Sequence, residues 1–144
     1  MKMLIIENDK YKYEYLRCVL QEFCNDLIID RVKSMSKGIK YLNEHNTINN
    51  EIDSYDFLIC EYILPFFDES VELEVVGEMI INFAKNSCNN KLITILCSDK
   101  QKLSESDYQL EFNNLERFYE QLERIINKIE FNCEKVKVFK KIII

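Results

Sequence analysis

The chain has 144 residues, of which 47% are hydrophobic, and it carries a formal net charge of −6. This length and apolar content fit one globular domain with a single core, and they argue against a disordered chain. The negative charge disfavours nucleic acid as a partner, and no window of about 18 apolar residues is long enough to span a membrane. Because the N-terminus lacks a signal-peptide pattern, we expect a cytoplasmic protein.

The first part of the chain alternates short apolar runs with amphipathic segments. Residues 3–6 form an apolar run without polar alternation, which is typical of a strand buried on both faces of a parallel sheet. Residues 10–23 carry apolar side chains at helical spacing and predict the first helix. Residues 26–32 predict a second strand, and Ser34 is a suitable cap for a second helix that ends near residue 46.

The second part begins with a third buried strand, predicted over residues 56–60. A helix follows it, with an apolar face made of Met79, Ile80, Phe83 and Ala84. Residues 91–96 predict a fourth strand, and the polar segment between it and a short fifth strand, residues 108–112, is too short for a helix and two loops. We therefore expect the helix between these strands to be lost or reduced to a turn. Residues 114–129 predict a last amphipathic helix.

Strands that alternate with helices predict an α/β fold, doubly wound and flavodoxin-like, with a five-stranded parallel sheet and helices on both faces. Residues 134–144 alternate Lys and Val at their start, which favours an extra, half-buried strand. We therefore predict one domain over residues 1–131, with residues 132–144 as a strand extension of it. This strand would pair with a sheet edge of its own subunit, or with that of a neighbour in a homodimer. Its apolar contacts would come from Val136, Val138, Ile142 and Ile144.

Polar side chains follow three of the predicted strands where each strand ends. They are Glu7, Asn8 and Asp9 after the first strand, Glu61 after the third, and Cys97 and Ser98 after the fourth. Because the carboxyl ends of parallel strands meet at one edge of a sheet, we expect these side chains to share one rim. A proline, Pro65, stands four residues after Glu61.

This arrangement resembles the receiver domain of bacterial two-component response regulators, over roughly residues 2–130. In that family the first strand ends in an acidic pair that binds magnesium. The third strand ends in an aspartate that accepts a phosphoryl group, with a proline four residues later. The fourth strand ends in Thr or Ser, and the fifth ends in Lys before a Pro. The resemblance implies the receiver fold and a role in two-component signal transduction.

Carried onto this sequence, the resemblance places Glu61 at the phosphoacceptor position, one methylene longer than aspartate, and Pro65 at the position of the family's proline. Glu7 falls on the first acid of the metal pair. Asn8 falls on the second acid, so a charged ligand is lost unless Asp9 replaces it.

The remaining positions of the site also depart from the family's pattern. Ile63 falls where a backbone carbonyl binds the metal, which any residue can supply. Cys97, with Ser98 beside it, stands at the Thr or Ser position, and a thiol donates a weaker hydrogen bond than a hydroxyl. Glu111 replaces the lysine, which reverses the charge and leaves two carboxylates on a rim without that cation. The resemblance therefore implies no cofactor beyond a weak magnesium or calcium site at Glu7, Asp9, Glu61 and Ile63.

The segment between the third strand and its helix also differs from the family, which has a short loop ending in Asp-Gly. If Gly77 takes the place of that glycine, this chain has several extra residues, with four acids and the adjacent Phe66 and Phe67. We expect the two phenylalanines to contact a protein partner. The other interpretation is an earlier start of the helix, capped by Ser70.

Phosphoryl transfer to a carboxylate needs a metal, an acceptor held in line, and a cation and a hydroxyl that bind the phosphoryl oxygens. Because the sequence weakens each of these, we expect a degenerate receiver, or pseudo-receiver, that is not an enzyme and is not phosphorylated. It would act in regulation through a protein partner. One alternative is a working phosphoacceptor at Glu61 in a two-component phosphorelay, with Asp9 completing the metal site. A second is a structural scaffold module that uses only the fold.

Overall fold

The computed structural model describes residues 1–49 and 52–143, with the side chains of the last helix described as far as Ile129. A separate antiparallel hairpin is made by two short strands, β4 (Ile63–Leu64) and β5 (Glu74–Val75). The main sheet has the strand order β2-β1-β3-β6-β7 and is parallel throughout, which confirms the predicted five-stranded sheet. Its strands are β1 (Lys2–Ile6), β2 (Ile28–Val32), β3 (Phe57–Glu61), β6 (Ile93–Ser98) and β7 (Tyr108–Glu111).

Helices cover both faces of the sheet. The pair α1 (Lys10–Phe23) and α4 (Leu115–Ile143) packs on one face, and the pair α2 (Met35–His45) and α3 (Gly77–Ser87) packs on the other. Residues of β1 alternate between the two cores, as expected of a strand buried on both sides. None of the helices in the described part of the chain has the length and apolar character of a membrane-spanning segment.

The connection between β6 and β7 contains no helix over residues 99–107, which confirms the predicted loss of that helix. Asp107 fixes the end of this connection. Its carboxylate accepts a hydrogen bond from the backbone N–H of Thr94 at 2.8 Å and forms an ion pair with Lys85 of α3. A short loop, anchored at its end by the Asp107 carboxylate, therefore stands in place of the expected helix beside the edge strand β7.

The segment after β3 folds as the hairpin, and α3 begins only at Gly77, so the earlier helix start at Ser70 is wrong. The first turn of α2 holds the hairpin in place. The N–H groups of Met35 and Ser36 donate to the carbonyl oxygens of Pro65 (3.0 Å) and Phe66 (2.9 Å). These bonds use helix N–H groups that have no partner within the helix.

The predicted C-terminal strand is wrong, because residues 134–143 continue α4 without a break across the predicted boundary at residues 131 and 132. The segment also has apolar residues at helical spacing, Val136, Phe139 and Ile143. Extending an existing helix needs no new nucleus, whereas a new strand needs a partner edge. The expectation of dimers paired through a strand loses its basis, and Ile144 lies outside the described residues.

Candidate functional site

The predicted rim forms at the carboxyl ends of the parallel strands. Glu61 lies opposite Cys97 in the register of β3 and β6, and Ser98 lies opposite Glu111 in that of β6 and β7. Glu7 immediately follows β1, the other neighbour of β3. The fold thus places Glu7, Glu61, Cys97, Ser98 and Glu111 at one end of the sheet.

Two buried carboxyl groups, Glu7 and Glu61, form the centre of this rim. Glu7 is 5% exposed and Glu61 is 8% exposed, and their side chains share a hydrogen bond. Burial, followed by the negative charge of Glu61, raises the pKa of Glu7 to about 8. A hydrogen bond between two carboxyl groups requires that one carries a proton, so at neutral pH Glu7 donates to the Glu61 carboxylate.

Several opposing influences act on the Glu61 carboxyl group. Burial raises its pKa, and the positive charge of Lys12 and the hydrogen bonds from Glu7 and Cys97 oppose that rise. Its Oε2 atom is buried and accepts no hydrogen bond from the described protein atoms. The residue at the phosphoacceptor position is therefore a buried carboxyl group that interacts with Glu7, with Cys97 and with the positive charge of Lys12.

Lys12 provides that cation, and sequence reasoning missed it. Burial lowers the pKa of Lys12, but the charges of Glu61 and Glu7 outweigh this effect, and the net change is a rise. Its ammonium group also lies 5.3 Å from the centre of the Phe112 ring, a cation–π contact. The sequence feature that could have indicated Lys12 is its position in the first turn of α1, shortly after the acids that follow β1.

The predicted metal ligands come together only in part. Asp9 is the N-cap of α1, and its Oδ1 accepts hydrogen bonds from the N–H groups of Tyr11 (2.8 Å) and Lys12 (3.1 Å). Within the described residues no group of three or more His, Cys, Asp or Glu side chains is placed to hold a metal ion. Ile63 contributes to the hairpin strand β4. The donor set is thus two carboxyl groups beside an ammonium, which does not fit a divalent cation well.

The predicted switch residues are all engaged in local bonds. The buried Cys97 thiol bonds to the Glu61 carboxylate, and burial is the main reason that its pKa is raised. Ser98 donates to the carbonyl oxygen of Lys100 at 2.6 Å, within the β6–β7 connection. Glu111 forms an ion pair with Arg117 at 3.5 Å, so the close carboxyl partner of Glu61 is Glu7 and not Glu111.

Backbone contacts fix the loops around the rim. Arg31 donates from Nε to the carbonyl oxygen of Glu7 (3.2 Å) and from Nη2 to that of Asn8 (3.3 Å). The N–H of Gly77 donates to the carbonyl oxygen of Tyr62 at 2.9 Å, which brings the start of α3 against the end of β3. The rim is therefore preorganised by the protein itself.

The predicted interaction residues lie in two separate places. Phe66 and Phe67 are exposed in the hairpin loop, at 41% and 56%. Val136, Val138 and Ile142 lie on the extension of α4, where only the helical backbone is described.

Comparison with known proteins gives matches through structure and none through sequence. No family model matches the chain, and no curated protein matches it. A response regulator receiver domain from Methylobacillus flagellatus superposes with a TM-score of 0.64 at 19% identity, over 90% of this chain and 98% of the other. The fold is that of a response regulator receiver domain.

Two further receiver structures illustrate the states in which this fold has been solved. The phosphorylated cyanobacterial phytochrome response regulator RcpA superposes with a TM-score of 0.62 at 13% identity, covering 90% of both chains. The manganese-bound form of the response regulator Rcp1 gives a TM-score of 0.62 at 13% identity, over 90% of this chain and 91% of the other. At such identities the likeness establishes the receiver fold. The chemistry of this chain has to be inferred from the residues of its own rim.

Proposed function

We propose that this protein is a receiver-like regulatory protein that acts through protein–protein contacts, does not catalyse a reaction and is not phosphorylated. The observation that carries the proposal is the buried Glu7–Glu61 carboxyl pair with Lys12 beside it. The charge of Lys12 acts on this pair at the end of the sheet where a receiver holds its metal and its phosphoryl group. We infer that the rim is held in one state.

Three features of the rim oppose phosphoryl transfer. A metal must neutralise the incoming phosphate, but Lys12 already balances the carboxylate and Asp9 is bonded to the start of α1. The acceptor must be accessible and in line, but Glu61 is buried and its carboxyl group interacts with Glu7 and Cys97. A cation must stabilise the developing charge, but the end of β7 carries Glu111, which is paired with Arg117.

The position of Glu61 gives this state a physical meaning. In the proposed function, the Glu61 carboxylate supplies a fixed negative charge near the position of a phosphoryl group. The hydrogen bond from Cys97 links that charge to β6, and the bond between Gly77 and Tyr62 links the end of β3 to α3. Surfaces on the hairpin and on α3 are then held in one arrangement for a partner to recognise.

We expect acetyl phosphate with magnesium to leave the intact mass of the protein unchanged, because the acceptor, the metal set and the cation are all unsuited to the reaction. Intact-mass spectrometry checks this result, with Glu61→Gln as the matched variant. A stoichiometric gain of one phosphoryl group that disappears in Glu61→Gln would overturn the proposal and support the relay alternative.

A further inference from the structure

The hairpin inserted after β3 presents apolar side chains to solvent. We use the term hairpin surface for Ile63, Phe66, Phe67, Leu73, Val75 and, in the first turn of α3, Met79, all of which are exposed. The opposite side of the hairpin is buried, since Leu64 and Val76 belong to the core shared with α2 and α3. Ile63 and Val75 are direct cross-strand neighbours, so their side chains form one continuous apolar patch.

The hairpin surface is held in place before any partner arrives. The first turn of α2 binds the carbonyl oxygens of Pro65 and Phe66, and the hydroxyl of Ser34 donates to Asp68 at 2.6 Å. Within the loop, the N–H of Ser70 donates to the carbonyl oxygen of Phe67 at 3.1 Å. A preorganised surface loses little conformational entropy on binding, which favours a specific contact.

The charge around the hairpin surface is strongly negative. Residues 41–84 contain no lysine and no arginine. The hairpin and the start of α3 contribute five acids to this stretch, Asp68, Glu69, Glu72, Glu74 and Glu78. The complementary partner is therefore a segment that is both apolar and basic.

This chain contains such a segment in the extension of α4. Residues 131–143, which we term the tail, hold four lysines and one glutamate, together with Phe131, Val136, Val138, Phe139, Ile142 and Ile143. The tail is helical. Among the residues whose side chains are described, α4 supplies buried side chains to the core from Phe118 to Ile129.

The direction of α4 prevents the tail from reaching its own hairpin. The helix starts just after β7, at the rim, and residues 115–129 rise about 22 Å, more than the roughly 17 Å of a five-residue strand. The tail therefore leaves the domain at the end opposite the hairpin. It also leaves from the α1–α4 face, whereas the hairpin packs with α2 and α3.

We propose that the hairpin surface is the docking site for the tail of a second copy of this chain. The four lysines of the tail, residues 135, 137, 140 and 141, complement the negative charge around the hairpin, and the apolar residues of the tail cover the hairpin surface. A closed arrangement with twofold symmetry, in which each hairpin takes the other copy's tail, satisfies both surfaces with two chains. The inference deepens the proposed function by naming the partner, but it uses none of the rim residues.

The test measures self-association of the full chain by sedimentation velocity, with two charge-reversal variants. We expect Glu69→Lys with Glu72→Lys to weaken association about tenfold, and Lys140→Glu with Lys141→Glu to do the same. The variant that combines all four reversals regains association, because the charges are again complementary. Phe67→Asn weakens association, whereas Leu103→Asn, at a fully exposed leucine in the β6–β7 connection, leaves it unchanged.

Three results would overturn this inference. The first is a full-length chain that remains monomeric at all accessible concentrations. Binding of the tail to anionic vesicles by a chain that stays monomeric would count as the same negative result. The second is a dimer that survives truncation after Glu130. The third is a dimer that is lost on truncation but is insensitive to every hairpin variant. Since each readout is independent of acetyl phosphate, failure here leaves the proposed absence of phosphorylation standing.

Discussion

Replacing Gly77 with alanine is expected to lower the free energy of unfolding by about 3 kcal/mol. A Cβ atom at this position would lie 2.4 Å from the carbonyl oxygen of Glu61 and 2.5 Å from the Cα of Tyr62. Both atoms belong to backbone at the end of a buried central strand, so neither can rotate away. Either α3 or the end of β3 must move, and the hydrogen bond between the Gly77 N–H and Tyr62 is then stretched. Urea unfolding followed by circular dichroism measures the loss.

The matched control is Gly38→Ala, because Gly38 is also a helical glycine in close contact. A Cβ there would meet the Cδ1 of Ile6 at 2.4 Å, which is the far end of a flexible side chain. Alanine also favours the helix by up to about 1 kcal/mol relative to glycine, which offsets part of the strain. We expect the control to change stability by less than about 1 kcal/mol. If Gly77→Ala is no more harmful than Gly38→Ala, the tight contact between α3 and β3 is refuted.

The second large effect concerns pH. Burial raises the pKa of Glu7 from its ordinary 4.5 to about 8, so the folded state keeps a proton that the unfolded state loses. Between these two pH values the folded state binds more protons than the unfolded state, and stability therefore falls as the pH rises. Below pH 4.5 both states are protonated, and above pH 8 both are ionised, so the dependence flattens at each end.

The variant Glu7→Gln removes this dependence, because glutamine stays neutral and its amide can still donate to Glu61. We expect it to exceed the wild type in stability by about 4 kcal/mol near pH 8.5, and to differ by less than about 1 kcal/mol near pH 5. Glu14→Gln serves as the control, since Glu14 is a half-exposed partner of Arg17 on α1. Urea unfolding across pH 5 to 9 tests this account. A Glu7→Gln variant with the same pH slope as the wild type would contradict the shared proton.

The fold could be predicted from the sequence where the local pattern and the tertiary structure agree. The runs that became β1, β3 and β6 are apolar on both faces, and a parallel sheet buried between helices is the structure that suits them. Their polar ends then define the rim by topology alone. Glu7, Glu61 and Cys97 could be placed together for this reason, without any knowledge of side-chain contacts.

The remaining features depended on contacts that a linear pattern does not encode. The alternation of Lys and Val in residues 134–138 is typical of a strand, but continuity with the packed half of α4 decided the outcome. The strands of the hairpin have only two residues each, which is too few for an alternation of apolar and polar residues to be recognised in the sequence. Lys12 precedes the apolar position Tyr13 on α1, and only the packing of that helix shows that its ammonium faces Glu7 and Glu61.

The predicted metal ligands are brought together only in part for a similar reason. Asp9 is close to the rim in sequence, but the free N–H groups at the start of α1 are nearer and bind its carboxylate. Glu111 likewise lies at the end of β7 as predicted, and Arg117 on the first turns of α4 draws it into an ion pair. The sequence correctly named Asp9 and Glu111 as candidates from their type and position. Which groups their carboxylates bind was decided by local hydrogen bonds and ion pairs.

The central claim, that the rim is closed to a metal and a phosphoryl group, is tested most directly with beryllofluoride, which mimics a bound phosphoryl group without requiring a reaction. Magnesium and then beryllofluoride are added to ¹⁵N-labelled protein, and the amide signals of Glu61, Tyr62 and Cys97 are followed by NMR. We expect magnesium alone to shift them only at millimolar concentrations, and beryllofluoride to add no further change. Saturable shifts centred on Glu61 at micromolar magnesium and beryllofluoride would contradict the account.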